Sequence, residues 1–153
     1  MISNLPFDEF KPKFSAAGCF IEHNRKILLL KYPETKKDNP GRWGSPAGKI
    51  DDGETPKDAV IRETYEEIGY HLDPRKIIFV EKAYVRYSDF DFIYNIFRYT
   101  IESNEKPQII LKEREHTTYK WATIEEALKE DLVYDDDYCI RAAYNLIDRI
   151  KKQ

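Results

Sequence analysis

Apolar and polar positions along the chain predict a sheet with one strongly amphipathic helix inserted between its strands. Four consecutive apolar residues at 27–30 predict a buried strand over 26–32. A second strand is predicted over 14–22, and the short turn at 23–25 predicts that the two form a hairpin. Further strands are predicted over residues 77–87, 92–101, 108–111 and 119–121.

The helix in the middle of the chain is predicted over 56–68 from its capping residues. Thr55 suits the N-cap, Pro56 suits the first helical position, and Gly69 is a natural C-terminal stop. Because this helix interrupts the series of strands, the chain is expected to mix helices and strands within one layered fold.

Two more helices are predicted near the C-terminus. A capping box that begins at Thr123 predicts a short helix over 124–130. The last helix is predicted over 136–151 from an apolar stripe. Its members are Ile140, Ala143, Tyr144, Ile147 and Ile150. Residues 1–12 are predicted to form an irregular arm, and residues 33–42 a polar loop.

Three glutamates, Glu63, Glu66 and Glu67, are predicted to share one face of the middle helix. The opposite face is predicted to carry Ile61, Thr64, Tyr65 and Ile68. Like charges at this spacing repel each other, so either water screens them or a cation neutralises them. Carboxylate oxygens are hard ligands, which favours Mg²⁺ or Mn²⁺. A solvated acidic face is the alternative interpretation.

The residues around these glutamates resemble the Nudix box over residues 48–70. The matching positions are Gly48, Glu54, Arg62, Glu63, Glu66, Glu67 and Gly69. Thr64 and Tyr70 depart from the pattern, and both are interpreted as packing positions. The preceding residues 43–50 resemble the family's Trp-x-x-Pro-Gly-Gly-Lys run, with Ala47 in place of the first glycine.

The resemblance implies a fold and a reaction. The implied fold is an α+β sandwich of the α/β/α type, in which a mixed β-sheet is packed between helices and residues 48–70 form the catalytic loop and helix. The implied reaction is hydrolysis of a pyrophosphate bond in a nucleoside diphosphate linked to another group. The implied cofactor is Mg²⁺, with Mn²⁺ as a substitute.

The resemblance also assigns expected roles to individual residues. Glu63 and Glu67 match the principal catalytic metal ligands, and Glu66 matches an additional ligand. Arg62 and Glu54 match a pair that steadies the loop against the helix. The family's turn supplies a backbone carbonyl to the metal and a lysine to phosphate. These positions correspond to Gly48 and Lys49 here.

A further acidic residue is expected from the loop before the strand that contains Trp121. Glu115 lies six residues before that tryptophan, where mutator-type family members place theirs. It is expected to ligate a metal or to act as general base, with Glu113 as the reserve candidate and a solvated loop as the alternative. His116 is predicted to be a surface residue.

The identity of the substrate is left open by the box. Asp135 and Asp136 precede the last helix, approximately where some members that destroy oxidised purine triphosphates read the base edge. Simple capping of the helix is the alternative. The leading hypothesis is a (d)NTP such as 8-oxo-dGTP. The alternatives are an ADP-ribose or nucleotide-sugar pyrophosphatase, a non-catalytic nucleotide-binding domain, and an isomerase that would need Cys19 as its catalytic residue.

Composition narrows the classes of partner. With 28 acidic and 25 basic residues, the net charge of −3 gives no basic footprint for duplex nucleic acid. No apolar run approaches about 18 residues, so no membrane span is expected, and a cytoplasmic location is the default. The two cysteines, Cys19 and Cys139, have no metal-binding or disulfide spacing and are predicted to be idle thiols. The 153 residues are expected to form a single domain (1–153), compatible with a homodimer.

Overall fold

The predicted hairpin lies in the middle of a mixed sheet in the computed structural model, which describes residues 1–112 and 114–144. The strands of the described residues are β1 (Ile2–Ser3), β2 (Pro12–His23), β3 (Lys26–Lys31), β4 (Trp43–Gly44), β5 (Ala47–Lys49), β6 (Ile78–Arg86), β7 (Asp91–Ile101) and β8 (Thr118–Ala122). The helices are α1 (Pro56–Ile68), α2 (Ile124–Leu128) and α3 (Asp136–Ala143), with a 3₁₀ turn at Pro74–Lys76.

The sheet has the strand order β1-β6-β7-β2-β3-β4, while β5 pairs with β2 and β8 pairs with β3. Strands β2 and β7 run parallel over ten paired positions, from Pro12↔Asp91 to His23↔Ile101. The other pairings between these strands are antiparallel. The sheet is therefore mixed, as predicted.

Alternate residues of the central strands feed two separate cores, because side chains along a strand point to opposite faces. On one face, Leu28 and Leu30 of β3 pack in a cluster with Val60 and Ile68 of α1. On the other face, Ile27 and Leu29 join a cluster with residues of α2 and α3 such as Ala127 and Ile140. The sheet is thus covered by helices on both sides, which confirms the α/β/α sandwich.

Helix α1 has the predicted bounds because both of its caps form. The Thr55 hydroxyl accepts a hydrogen bond from the N–H of Asp58 at 3.1 Å. Gly69 adopts a left-handed φ of 72° and donates its N–H to the carbonyl of Tyr65. A left-handed residue at this position favours glycine. Thr64 is fully buried, so the interpretation of this position as packing is confirmed.

The predicted faces of α1 are wrong at two positions. Tyr65 is 48% exposed, whereas Glu67 is only 3% exposed and lies on the buried face beside Val60 and Thr64. The prediction placed Tyr65 on the buried face because of its hydrophobicity. The structure instead turns Glu67 towards the sheet, where a backbone N–H binds its carboxylate.

Three other predictions change. Ile2 and Ser3 pair with β6, so the arm is not wholly irregular. Residues 108–111 form no strand, and α2 ends at Leu128 rather than at residue 130. The last helix begins at Asp136 as predicted, and its predicted continuation over 145–151 lies outside the described residues.

Two findings concern the cysteines and membrane-spanning helices. Cys19 and Cys139 are both free and buried, which confirms the prediction of idle thiols. Across the described ranges 1–112 and 114–144, no helix is long and apolar enough to cross a membrane.

Candidate functional site

Strand β5 and helix α1 build the centre of the candidate site. Strand β5 pairs antiparallel with β2 through Ala17↔Gly48 and Gly18↔Ala47. The N–H of Ala47 donates a hydrogen bond to the Glu67 carboxylate at 2.9 Å, across the junction of strand and helix. The acidic side of α1 is therefore fixed against the backbone of the turn.

Burial of Glu67 is unusual for a carboxylate. Desolvation raises its pKa well above the ordinary value, and the neighbouring Glu63 raises it further, while the Ala47 hydrogen bond opposes the shift. A carboxylate in this situation gains stability from a cation that neutralises it. This argues against the interpretation of the three glutamates as a solvated face.

Glu63 lies against Gly48, which explains the glycine in structural terms. A Cβ built on Gly48 would overlap the carboxyl group of Glu63. Burial raises the pKa of Glu63, and its hydrogen bond from Arg62 lowers it in part. The sequence placed Gly48 at a cofactor contact, and the structure adds that its missing side chain makes room for the Glu63 carboxylate.

Arg62 joins the loop to the helix. Its guanidinium donates to both oxygens of Glu54, at 2.8 and 3.0 Å, and Nη2 also donates to the Lys49 carbonyl at 3.1 Å. Nη1 donates to Glu63 at 2.8 Å. The Arg62 hydrogen bonds and the Asp51 N–H lower the pKa of Glu54 to about 2. The geometry is that of a rigid bidentate clamp.

The side chains of Glu66 and Lys49 lie outside the group formed by Gly48, Glu63 and Glu67. Glu66 is exposed and accepts a 3.4 Å contact from Arg62. The ammonium group of Lys49 lies over the ring of Phe14, 4.5 Å from its centroid. Neither side chain lines the acidic cavity described next.

Glu115 meets the glutamates of α1 across a cavity of about 270 Å³. We call it the acidic cavity, and its lining residues are Tyr32, Lys36, Ala47, Gly48, Glu63, Glu67, Glu115 and His116. The loop before β8 thus brings Glu115 to the same cavity as Glu63 and Glu67. Glu113, the reserve candidate, lies outside the described residues.

The prediction for His116 is wrong. Its side chain is 2% exposed and its ring stacks on Tyr32, with centroids 4.8 Å apart. Neither ring nitrogen has a hydrogen-bond partner among the described residues. Burial lowers the pKa of His116 to about 4, so the imidazole is neutral near pH 7. All residues at 113–118 are polar, so the burial of His116 could not be predicted from the sequence.

Lys36 is a cavity residue that the sequence analysis missed. Its ammonium group lies 4.6 Å from the centroid of the Tyr32 ring, within the loop 33–42. It lines the acidic cavity and also the neighbouring one. The residues around Lys36 form no known motif. The positive charge of Lys36 was therefore the one sequence feature that could have indicated a place beside phosphate.

A second cavity of about 250 Å³ adjoins the first and shares Tyr32, Lys36 and Ala47 with it. We call it the aromatic cavity. Its walls include the rings Phe14, Tyr87, Phe90, Phe92, Tyr94 and Tyr134, and Asp135 and Asp136 also line it.

The two aspartates do not form a side-chain cap for α3. Asp135 occupies the N-cap position with a φ of 67° and makes no capping hydrogen bond through its side chain. Asp136 is 7% exposed, and its Oδ2 has no hydrogen-bond partner within the described part of the chain. Burial raises the pKa of Asp136 to about 7. The carboxyl group is therefore available to a ligand in the aromatic cavity.

The acidic cavity suits a divalent cation. The Glu67 carboxylate is buried and accepts one backbone N–H. A ligand atom from each of Glu67, Glu115 and His116 lies within 4.8 Å of the other two. Oxygen-rich sites of this kind hold Mg²⁺ or Mn²⁺.

A comparison with protein families gives a match to the NUDIX domain over residues 12–143. The chain belongs to the Nudix family. The match covers all the described helices and seven of the eight described strands, and it includes the loop and helix at 48–70.

Curated relatives match this Nudix chain over part of its length. It is 35% identical over 83 residues to an RNA pyrophosphohydrolase of Mannheimia succiniciproducens, covering 54% of this chain and 39% of that protein. It is also 35% identical over 65 residues to a human 8-oxo-dGDP phosphatase, covering 42% of this chain and 20% of that protein. The chain thus spans less than half the length of these relatives.

Solved structures share the Nudix fold. A MutT protein from Methanosarcina mazei matches with a TM-score of 0.74 and 24% identity, covering 94% of this chain and 98% of that one. The E. coli ORF135 protein matches with a TM-score of 0.73 and 23% identity, covering 94% and 96% of the two chains. This likeness supports the α+β architecture.

Proposed function

We propose that the chain is a Nudix hydrolase that cleaves a pyrophosphate bond in a nucleoside diphosphate linked to another group, with Mg²⁺ as cofactor and Mn²⁺ as a substitute. The strongest support for this proposal is that Glu63, Glu67 and Glu115 line one cavity and that Glu67 is buried there. Ionised carboxylates that are this close repel each other, and a bound cation would relieve that repulsion.

The proposed reaction depends on charge neutralisation and positioning. A divalent cation supplies neutralisation of the phosphate oxygens and activation of the attacking water. Glu63 and Glu67 would hold it from α1, and the exposed Glu66 would serve as an additional ligand. Arg62 keeps Glu63 in place through its 2.8 Å hydrogen bond. Hydrolysis at phosphorus gains most of its rate from this kind of positioning.

Glu115 is proposed as the general base or as a further ligand from the opposite wall of the cavity. Its carboxylate is 3.4 Å from the ammonium group of Lys112 and is partly exposed, so water reaches it. Lys36 and Lys49 are proposed to contact the phosphates. Lys36 reaches the cavity with its side chain, and Lys49 flanks the aromatic cavity above Phe14.

A purine nucleoside triphosphate such as 8-oxo-dGTP is the substrate we propose. The aromatic cavity adjoins the acidic one, so a base held there would leave its phosphates near Glu63 and Glu67. Aromatic rings stack on any base. The carboxyl group of Asp136, with a pKa of about 7, donates a hydrogen bond when protonated and accepts one when ionised. Discrimination between bases would therefore depend on the protonation of Asp136.

The isomerase alternative is disfavoured by the environment of Cys19. That thiol is 1% exposed, and burial raises its pKa, so the reactive thiolate is suppressed. ADP-ribose, nucleotide sugars and binding without turnover remain outcomes of the test below.

The test is hydrolysis with Mg²⁺ of a panel of dNTPs, 8-oxo-dGTP, ADP-ribose, nucleotide sugars and 5′-triphosphate RNA, with the nucleotide products separated by chromatography. The Asp136→Asn variant and its exposed neighbour variant Asp137→Asn are measured beside the wild type. The proposal predicts turnover of a purine triphosphate, with kcat/KM lowered about tenfold or more by Asp136→Asn alone. Turnover confined to ADP-ribose or sugars would reject the proposed substrate.

A further inference from the structure

His116 lines the acidic cavity, and the proposed function leaves its two ring nitrogens unused. It is a buried histidine in a cavity otherwise rich in carboxylates, and its ring nitrogens have no partner in the described ranges 1–112 and 114–144. A buried polar atom without a partner is costly to the fold, unless something outside the protein chain satisfies it.

The positions of the atoms around His116 fit a metal ion as the partner of one ring nitrogen. One ring nitrogen of His116 lies within 4.8 Å of a carboxylate oxygen of Glu67 and of one of Glu115, and those two oxygens also lie within 4.8 Å of each other. Atoms at these mutual distances fit around a single ion with bonds of about 2.0–2.3 Å. The two carboxylates come from α1 and from the loop before β8, so the position joins opposite walls of the acidic cavity.

We propose that His116 is a nitrogen ligand of a divalent metal ion held together with Glu67 and Glu115, and that this ligand makes the position prefer Mn²⁺ to Mg²⁺. The inference rests on the metal site of the proposed function and extends it. Imidazole is a good ligand for transition-metal ions, whereas Mg²⁺ prefers oxygen ligands. Glu67 would then contribute to this position as well as to the site it forms with Glu63.

Stacking fixes the imidazole in place. The His116 ring lies on Tyr32 with an interplanar angle of 21°. Such a stack limits rotation of the ring, so the nitrogen remains directed towards the carboxylates. The purely structural alternative is that the ring serves only as a flat surface for Tyr32. That alternative predicts that any aromatic ring at position 116 would be equivalent.

The test uses Mn²⁺ as the probe and the full chain as the protein. Electron spin echo envelope modulation detects ¹⁴N bound directly to Mn²⁺, and the signal of free Mn²⁺ gives the affinity. The variant is His116→Phe, which retains a ring against Tyr32 and removes both nitrogens. The control is His71→Phe, because His71 is exposed and stacks in the same way on Tyr65, with centroids 4.0 Å apart.

The expected result is ¹⁴N modulation in the wild type and in His71→Phe and its loss in His116→Phe. Mn²⁺ affinity should fall about tenfold or more in His116→Phe, with a smaller fall for Mg²⁺ measured by competition. Bound Mn²⁺ without ¹⁴N modulation in the wild type overturns the inference, and so does an absence of bound Mn²⁺. The wild-type spectrum decides by itself if His116→Phe does not fold.

Turnover of the same Mn²⁺-loaded protein separates this inference from the proposed function. Hydrolysis of a pyrophosphate without ¹⁴N modulation rejects only the histidine ligand. Modulation without hydrolysis of any compound in the panel supports the histidine ligand and rejects the proposed reaction.

Discussion

The carboxylate of Glu67 accepts the backbone N–H of Ala47 at 2.9 Å, and this contact holds the acidic side of α1 against strand β5. The same contact buries the carboxylate to 3% exposure. A group that the fold stabilises poorly in its charged form thus lies at the centre of the candidate metal site. Stability and function are expected to conflict at this position.

Glu67→Gln should therefore stabilise the metal-free protein. The amide oxygen still accepts the Ala47 hydrogen bond, and no charge is buried, so the free energy of unfolding should rise by about 1 kcal/mol at pH 7. Because the pKa of Glu67 is raised in the folded state, this gain should grow as pH increases from the unfolded value near 4.5. Urea denaturation at several pH values measures it.

Addition of Mg²⁺ should reverse the order of stability. The wild type gains stability through binding to the folded state, and Glu67→Gln gains much less. Glu125→Gln is the matched control, because Glu125 is exposed on α2 and lies outside the acidic cavity. Equal Mg²⁺ stabilisation in the wild type and Glu67→Gln would contradict the role given to Glu67.

Arg62→Lys should weaken the joint between loop and helix. Lysine cannot form the two hydrogen bonds to Glu54 and also reach the Lys49 carbonyl, so we expect a loss of about 2 kcal/mol in the free energy of unfolding. The kcat should fall more than KM rises, since Glu63 loses its positioning contact. The control is Arg75→Lys at an exposed pair with Asp73, where stability should be nearly unchanged.

Gly48→Ala should damage metal binding while the fold persists. Gly48 does not have a positive φ, so alanine is compatible with the backbone, but its Cβ would displace the Glu63 carboxyl group. We expect Mg²⁺ affinity, measured by calorimetry, to fall about tenfold or more. Gly53→Ala gives the contrast, because φ is 80° there and no atom lies within 4 Å. It should cost about 1 kcal/mol of stability and leave Mg²⁺ affinity unchanged.

Asp136 should give the stability of the protein a distinctive pH dependence. Its pKa is about 7 in the folded state and near 3.8 when unfolded, so the folded protein holds a proton that the unfolded chain has lost. Stability should therefore fall as pH rises from about 4 through 7. Asp136→Asn should remove about 4 kcal/mol of this fall, at about 1.4 kcal/mol per pKa unit, and Asp137→Asn should not. Parallel pH profiles for the wild type and Asp136→Asn would show that Asp136 is not buried in solution.

The bounds of α1 could be read from the sequence because local residues determine them. Thr55, Pro56 and Gly69 each act within one turn of the helix end, so capping rules apply without knowledge of the rest of the chain. The hairpin of β2 and β3 was predictable for the same reason, since its turn spans only a few residues.

Long-range pairing was not predictable in the same way. The parallel contact of β2 with β7 joins Ala16 to Tyr94, and the sequence between them contains no signal for it. The inward direction of Glu67 depends on the Ala47 N–H, twenty residues away. The burial of His116 depends on its stacking with Tyr32, which is distant from it in the sequence.

The central claim is that the carboxylates of the acidic cavity support metal-dependent hydrolysis of a pyrophosphate bond. The most direct test is single-turnover release of nucleotide products from the substrate panel with Mg²⁺, comparing the wild type with Glu67→Gln and Glu66→Gln. We predict release by the wild type, loss of about 10²-fold or more in Glu67→Gln, and a smaller loss in Glu66→Gln. Undiminished release by Glu67→Gln, or no release by the wild type with Mg²⁺ or Mn²⁺, would contradict the claim.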